Sequence, residues 1–243
     1  MNKLTAADYA DTGQWKLLVN IRRNGMDAYI KNLLYAELPS QKLFSTTWPS
    51  DTEDVLVNIE NAVYDHPQVL EDYTAQITVY DPRTLFMPAA VNDDNPGIDE
   101  DFYSTLFTCD ATDLMTDEDE GVMALFYGTK GLKSFLMRTF PGAKITNRLL
   151  DIVRKEKRGE DLHFKVEVRE NDADFVLMNG HRLISASTHK WFTPVEIAYY
   201  IFNILDVYDI DPAGVAVTFG GNEIDRKTID FLTSNLKSLR VEG

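Results

Sequence analysis

HFKVEVRENDADFVLMNGHRLISAS, residues 163–187, falls into three short runs separated by two turns, with apolar and polar side chains alternating in the first run. A period of two is the mark of a half-buried strand. His163 to Arg169 puts Phe164, Val166 and Val168 on one face, Phe175 to Met178 forms a second strand, and Leu183 to Ser187 a third. The breaks are Glu170-Asn171-Asp172-Ala173 and Asn179-Gly180. Turns this short join antiparallel neighbours, because a parallel crossover needs a dozen residues or more.

Working outward, Thr193-Pro194-Val195-Glu196 opens a helix, with Thr as cap, Pro at the first helical position and Glu closing a capping box. Ile197, Ile201, Ile204, Leu205 and Tyr208 follow at helical spacing until Asp211-Pro212. Tyr199, Tyr200 and Phe202 are expected to be mostly core, and any ring left exposed there would mark an interface. Gly214 to Phe219 reads as a buried strand, Gly220-Gly221 as a turn and Ile224 to Leu239 as a final helix. The order is β-β-β-α-β-α.

Residues 12–80 repeat it. Trp15 to Ile21, Ala28 to Lys31 and Leu34 to Leu38 read as strands, with Arg23-Asn24-Gly25 as the first turn. Ser50 to Asp54 carries helix-start signals before Val55, Ile59 and Val63, and Gln76 to Tyr80 is the next strand. A shift of 147 lays Val19-Asn20-Ile21-Arg22-Arg23-Asn24 on Val166-Glu167-Val168-Arg169-Glu170-Asn171, Asp27 on Asp174 and Asn32 on Asn179. Shared element order with a constant offset indicates duplication. The boundary is placed in the charged run Arg154 to Asp161, giving a first lobe over 12–158 and a second over 159–243.

The chain of 243 residues has 24 basic and 39 acidic side chains, so 24 − 39 gives −15. A 44% hydrophobic composition can fill a core, and a pI near 4.6 argues against a nucleic-acid binder, which needs a basic surface. One cysteine, Cys109, excludes an intrachain disulfide and a Cys-cluster metal site. With no leader-like or membrane-length apolar run, a cytoplasmic location without a membrane span is expected. No Lys or Arg falls between Arg83 and Lys130, a gap holding eleven acids. Residues 92–120 are therefore expected to form a solvated, mobile acidic insertion, with 92–97 as a surface loop and Phe102, Leu106 and Phe107 docking from a helix near 98–107.

Leu18-Val19-Asn20-Ile21, Phe140-Pro141-Gly142, Phe164 to Asn179 and Val217-Thr218-Phe219-Gly220-Gly221 carry a resemblance. On these stretches the chain resembles the actin-like ATPase superfamily, a duplicated ribonuclease-H-like fold holding nucleotide between two lobes. Over residues 12–240 it resembles an uncharacterised Bacteroidetes family, a domain of unknown function held to be actin-like. The resemblance implies an α/β fold with a mixed sheet in each lobe.

It also locates a site. Active superfamily members place an Asp-x-Gly-Ser/Thr phosphate loop at the first hairpin of each lobe, the Asp organising hydrated Mg²⁺ and the Gly admitting phosphate to backbone N–H groups. In this chain those positions fall on Asn20, Arg22 and Arg23, and in the second lobe on Glu167, Arg169 and Glu170. Gly220-Gly221 resembles the turn that contacts adenosine. The vestigial nucleotide cleft implied comprises Asn20, Arg22, Glu167, Arg169, Gly220 and Gly221, with the arginines filling phosphate space and pairing with acids such as Glu167.

Other chemistry is missing. Gly128-Thr129-Lys130-Gly131 lacks the Walker order, and EF-hand registers starting at Asn92 or Asp110 meet Tyr103 and Leu114 where ligands are needed. His66, His163, His181 and His189 lack metal-ligand spacing, and no Gly-x-Ser-x-Gly occurs. No catalytic residue, metal or cofactor is expected. The reading is an inactive actin-like module that works through a protein partner. The alternative is a divergent ATP-binding ATPase or sugar-kinase-like phosphotransferase.

Overall fold

Leu17, Val19 and Ile21 recur at every second position of β1 (Trp15–Arg22), so one face of the strand is buried while Lys16, Leu18, Asn20 and Arg22 point to the other. The computed structural model describes residues 12–35, 37–94, 97–156, 161–221, 226–236 and 239–241. The chain divides into two compact units, Met1–Arg148 and Leu149–Gly243.

In the first unit β2 (Gly25–Asn32) and β3 (Gln41–Thr47) follow β1, then α1 (Val55–Tyr64) and β4 (Thr74–Val79). An insertion comes next: β5 (Leu85–Pro88), α2 (Ala89–Asp94), α3 (Ile98–Leu106), β6 (Met115–Asp119) and β7 (Val122–Phe126). Then α4 (Leu132–Thr139) and β8 (Lys144–Asn147) complete a five-stranded sheet of order β3-β2-β1-β4-β8. The first three strands are antiparallel and β4 and β8 run parallel to β1. Val55, Ile59, Ala62 and Val63 form the stripe of α1 that joins the core with Leu17, Val19 and Ile77. Full burial of Ile59 alone contributes about 1.5–3 kcal/mol.

The second unit opens with α5 (Arg148–Glu156), which begins at its boundary residue. It continues with β9 (Leu162–Val168), β10 (Asp172–Asn179), β11 (Arg182–Lys190), α6 (Pro194–Val207), β12 (Ala216–Gly220), α7 (Arg226–Asn235) and β13 (Leu239–Val241). Its sheet has order β11-β10-β9-β12-β13, with the same directions as the first. The register repeats as well. Asn20 lies between Asp27 and Thr78, and Glu167, 147 residues later, lies between Asp174 and Gly220.

Several sequence expectations need correction. Leu34 to Leu38 is not a strand: the Asn32 carboxamide oxygen accepts the N–H groups of Leu34 and Tyr35, turning the chain, and β3 begins at Gln41. The third strand was hard to read because Phe44 is its one fully buried residue. A fifth strand, β8 or β13, closes each sheet, and the last helix ends at Asn235 where a helix to Leu239 was expected. Residues 157–160, 222–225 and 237–238, which fall in the expected boundary and final helix, lie outside the described residues.

The acidic stretch is the largest departure. It was expected to be a solvated loop, but α2 runs to Asp94 and residues 115–126 pair as β6 and β7 in a three-stranded sheet of order β5-β7-β6. Residues 95 and 96 lie outside the described residues. Asp113 and Asp117 are buried, contrary to expectation, because each carboxylate accepts a backbone N–H: Gly131 at 2.8 Å and Asn147 at 2.9 Å. Tyr103 rather than Phe102 or Leu106 docks from α3; those two are 51% and 60% exposed, while Phe107 packs at the cluster's edge. Tyr199 and Phe202 are likewise exposed rather than core, and only Tyr200 of that trio packs inward, against Phe175 and His189.

Candidate functional site

Arg22 stands opposite Gly25 across a two-residue turn, and Asn20 stands opposite Asp27, so Arg22 and Asp27 are diagonal neighbours on the face away from the core. The guanidinium reaches across: Arg22 Nη1 donates to Asp27 Oδ2 at 2.5 Å, and Ser45 Oγ on β3 donates to Oδ1 at 2.5 Å. Burial opposes the charge on Asp27, but the hydrogen bonds from Arg22 and Ser45 outweigh it and hold its pKa below the ordinary carboxylate value. Trp48 closes the hairpin from above, its Nε1 donating to Arg23 O at 2.7 Å and its N–H to Asn24 O at 2.9 Å.

The second unit builds the same device 147 residues on. Arg169 Nη1 donates to Asp174 Oδ2, and Nη2 to Oδ1 at 2.9 Å. Thr188 Oγ1 on β11 also donates to Oδ1, at 2.7 Å. Trp191 Nε1 donates to Arg169 O at 2.8 Å and its N–H to Asn171 O at 3.3 Å. Two bonds are extra: the second from Arg169 to Asp174, and Arg169 Nε to Asp172 Oδ1 at 2.6 Å. Burial works against the Arg169 charge, yet Asp174 and Asp172 more than offset it and raise the pKa.

The partners of the two arginines are therefore Asp27 and Asp174 of their own hairpins. Glu167, the acid expected in that role, lies on β9 beside Asp174 and Gly220. Sequence reasoning superposed Asp27 on Asp174 but gave them no role. The signal was present as Arg-x4-Asp spanning a two-residue turn, twice. Ser45, Thr188 and the two tryptophans come from third strands that carry weaker patterns, and no offset of 147 relates them.

Glu167, Arg169, Gly220 and Gly221 belong to one corner of the second unit. Gly220 pairs with Glu167, and a Cβ on it would lie 3.1 Å from Lys165 Nζ. Gly221 has φ +120°, and a Cβ there would stand 2.1 Å from Val168 O. This close approach to β9 accounts for glycine at position 221 by backbone contact alone.

The first unit has a narrow pocket of about 60 Å³ at the carboxy-terminal ends of β1 and β4, lined by Ile21, Arg22, Val79, Asp81, Arg83 and Gly128 among others. Its acid is committed. Asp81 Oδ2 accepts the N–H groups of Tyr127 and Gly128 at 3.0 and 2.7 Å, and Oδ1 accepts Arg83 N–H at 3.0 Å. Arg83 Nη2 donates to Gly128 O at 2.9 Å, so this corner ties the insertion to the end of β4. Among the described residues no group of three or more His, Cys, Asp or Glu is placed to hold a metal ion. A hydrated Mg²⁺ and a phosphate need a free carboxylate and open backbone N–H groups. The first hairpin offers instead a neutral Asn20, and both arginines are tied, to Asp27 and to Asp174; the second hairpin retains a carboxylate, Glu167. The first hairpin's residues do not fit that group.

The family profile described as "Protein of unknown function (DUF3822)" matches residues 6–235, and the chain belongs to that family. No protein of curated function matches it. A Bacteroides thetaiotaomicron protein described as having an actin-like ATPase fold and unknown function superposes with a TM-score of 0.81 at 16% identity. The match covers 97% of this chain and 93% of that one. The PilM-PilN type IV pilus biogenesis complex gives a TM-score of 0.57 at 9% identity, covering 94% of this chain and 88% of that one. At such identities the likeness is one of fold. The chain has the actin-like, ribonuclease-H-like fold, and among the described residues no helix is long and apolar enough to cross a membrane.

Proposed function

We propose that this member of the DUF3822 family is a catalytically inactive actin-like module that acts by binding a protein partner. One observation carries the reading: in both units the hairpin that would cradle phosphate is closed by an arginine clasped to an aspartate of the next strand. An arginine side chain at the glycine position obstructs close approach to the backbone, and its own aspartate satisfies the charge that could have drawn an anion. The PilM-PilN complex, a fold neighbour, is an assembly of proteins, which supports the same reading.

Calorimetric titration with ATP and Mg²⁺ tests it. The expected result is no saturable heat and no melting shift at millimolar nucleotide, because a ligand that binds only the folded state must raise its stability. Saturable binding would establish the alternative, a divergent ATPase or phosphotransferase. Arg22→Gly with Arg169→Gly separates the causes: nucleotide binding gained would identify the arginines as the block, and none gained would assign the loss to Asn20.

A further inference from the structure

We infer that the outer face of α6 is a docking surface for a basic, amphipathic segment of a partner protein. The inner face of α6 is spent on the core through Ile197, Ile201, Ile204 and Leu205. The opposite side carries Val195, Tyr199 and Phe202 at i, i+4 and i+7, exposed by 58%, 59% and 39%, with Phe192 just before the helix at 80%. Large apolar side chains aligned on one solvent face at this spacing match the anchors of a helix laid in a groove. The groove is present: a depression of about 400 Å³ lined by Tyr199, Phe202, Asn203, Asp206, Ile210 and Pro212. The corresponding helix of the first unit, α1, is shorter and exposes only Val57 and Tyr64 as large apolar side chains, beside Asn61.

Charge selects the occupant. Between Lys190 and Arg226 the sequence contains no Lys or Arg, while Asp206, Asp209 and Asp211 stand exposed at the end of α6 and just beyond it. An apolar stripe with an acidic end complements an apolar ridge followed by lysines and arginines. A second copy would bring the same acids face to face in a chain of net charge −15. An anionic bilayer would be repelled for the same reason.

This inference rests on partner binding but not on the absence of nucleotide, so ATP binding would overturn the earlier reading and leave this one standing. The test pans a random peptide display library on the full chain, with counter-selection against Tyr199→Ser/Phe202→Ser, and measures the synthesised winners by fluorescence anisotropy. Winners are expected to carry several Lys or Arg with apolar residues three and four apart. Affinity should fall about tenfold or more in Tyr199→Ser/Phe202→Ser and in Asp206→Lys, and should weaken as salt is raised. Asp206→Lys alone alters one exposed side chain and keeps Asp209 at its φ of +53°, which keeps the test decisive if the apolar variant melts early. Acidic or uncharged winners, winners indifferent to both variants, or none surviving counter-selection would overturn the inference. Sedimentation showing a dimer lost in Tyr199→Ser/Phe202→Ser would give the face to a second copy. Flotation with phosphatidylserine vesicles would give it to a membrane.

Discussion

The two hairpin clasps share a design and differ in how firmly they are held. Asp27 receives one bond from Arg22, and the side chains are 10% and 26% exposed. Asp174 receives two from Arg169, which also binds Asp172, and the Asp174 side chain is 1% exposed. A carboxylate withdrawn this far from water is tolerable only with its cation in place, so burial turns the second clasp from a contact into a requirement. The first keeps more solvent and has a partial substitute in water. The comparison separates the motif, which is the same, from its energetic weight, which depends on the surroundings.

The largest effects should come from removing the acids. Asp174→Ala removes two of the three bonds made by Arg169, leaves it to Asp172 and opens a buried site, and is expected to cost about 3 kcal/mol or more, whereas Asp27→Ala removes one bond and should cost about 1–3 kcal/mol. Urea unfolding followed by hydrogen exchange in β9–β10 and in β1–β2 reads the units separately. Equal losses would show that the additional bonds and deeper burial in the second unit carry no weight.

A second contrast lies at the ends of β4 and β12. Val79 continues β4 in register with Ile21, but β12 stops at Gly220 and Gly221 turns with its backbone against Val168. Gly221→Ala combines an unfavourable φ with a carbonyl in the path of the new methyl, so a loss above about 2 kcal/mol is expected. If that variant melts like the native chain, backbone contact is not what requires glycine, and a ligand role for the turn regains ground. Smaller again are the hydroxyl partners: Thr188→Val and Ser45→Ala should each cost about 0.5–1.5 kcal/mol, with Thr188 the larger, by thermal melts.

The meander and the repeat were legible because Phe164, Val166 and Val168, like Leu17, Val19 and Ile21, recur at every second position beside short turns. The capping box at Thr193 and Glu196 fixed where α6 begins, and the structure has it. What was not legible depends on partners distant in sequence. Nothing local distinguishes Asp113 and Asp117 from the solvated acids around them; their burial depends on the N–H groups of Gly131 and Asn147, 18 and 30 residues away. The candidate site was located by the resemblance to the actin-like phosphate loops, and its arginines were expected to pair with acids such as Glu167. The clasp became visible when the pleat put Asp27 and Asp174 diagonal to their arginines.

The smallest expected effect is a difference in pH response at one repeated position. Lys16 and His163 occupy the same register point, opposite Thr74 and Ala216. Lys16 donates to the neutral amide of Gln76 at 2.8 Å, while His163 Nε2 lies 3.5 Å from Glu156 Oε2 and Nδ1 lies 3.0 Å from Asp161 O. The hydrogen bond to Glu156, working against burial, raises the His163 pKa above 6.5, and the same bond lowers Glu156 below 4.5. The imidazolium's contribution is therefore complete below pH 6.5 and is lost as pH rises through the raised value. That of Glu156 is present above 4.5 and is lost as pH falls through its lowered value. Between those limits both ions are formed, and the pair should stabilise the second unit by up to about 1 kcal/mol, as partly exposed ion pairs do. Glu156→Gln should narrow its stability gap to the native chain as pH is raised from 6 to 9. The His163 ring proton should titrate closer to 6.5 in that variant by NMR. A gap that stays constant across this range, or a His163 titration indifferent to residue 156, would mean that the contact is too weak to couple.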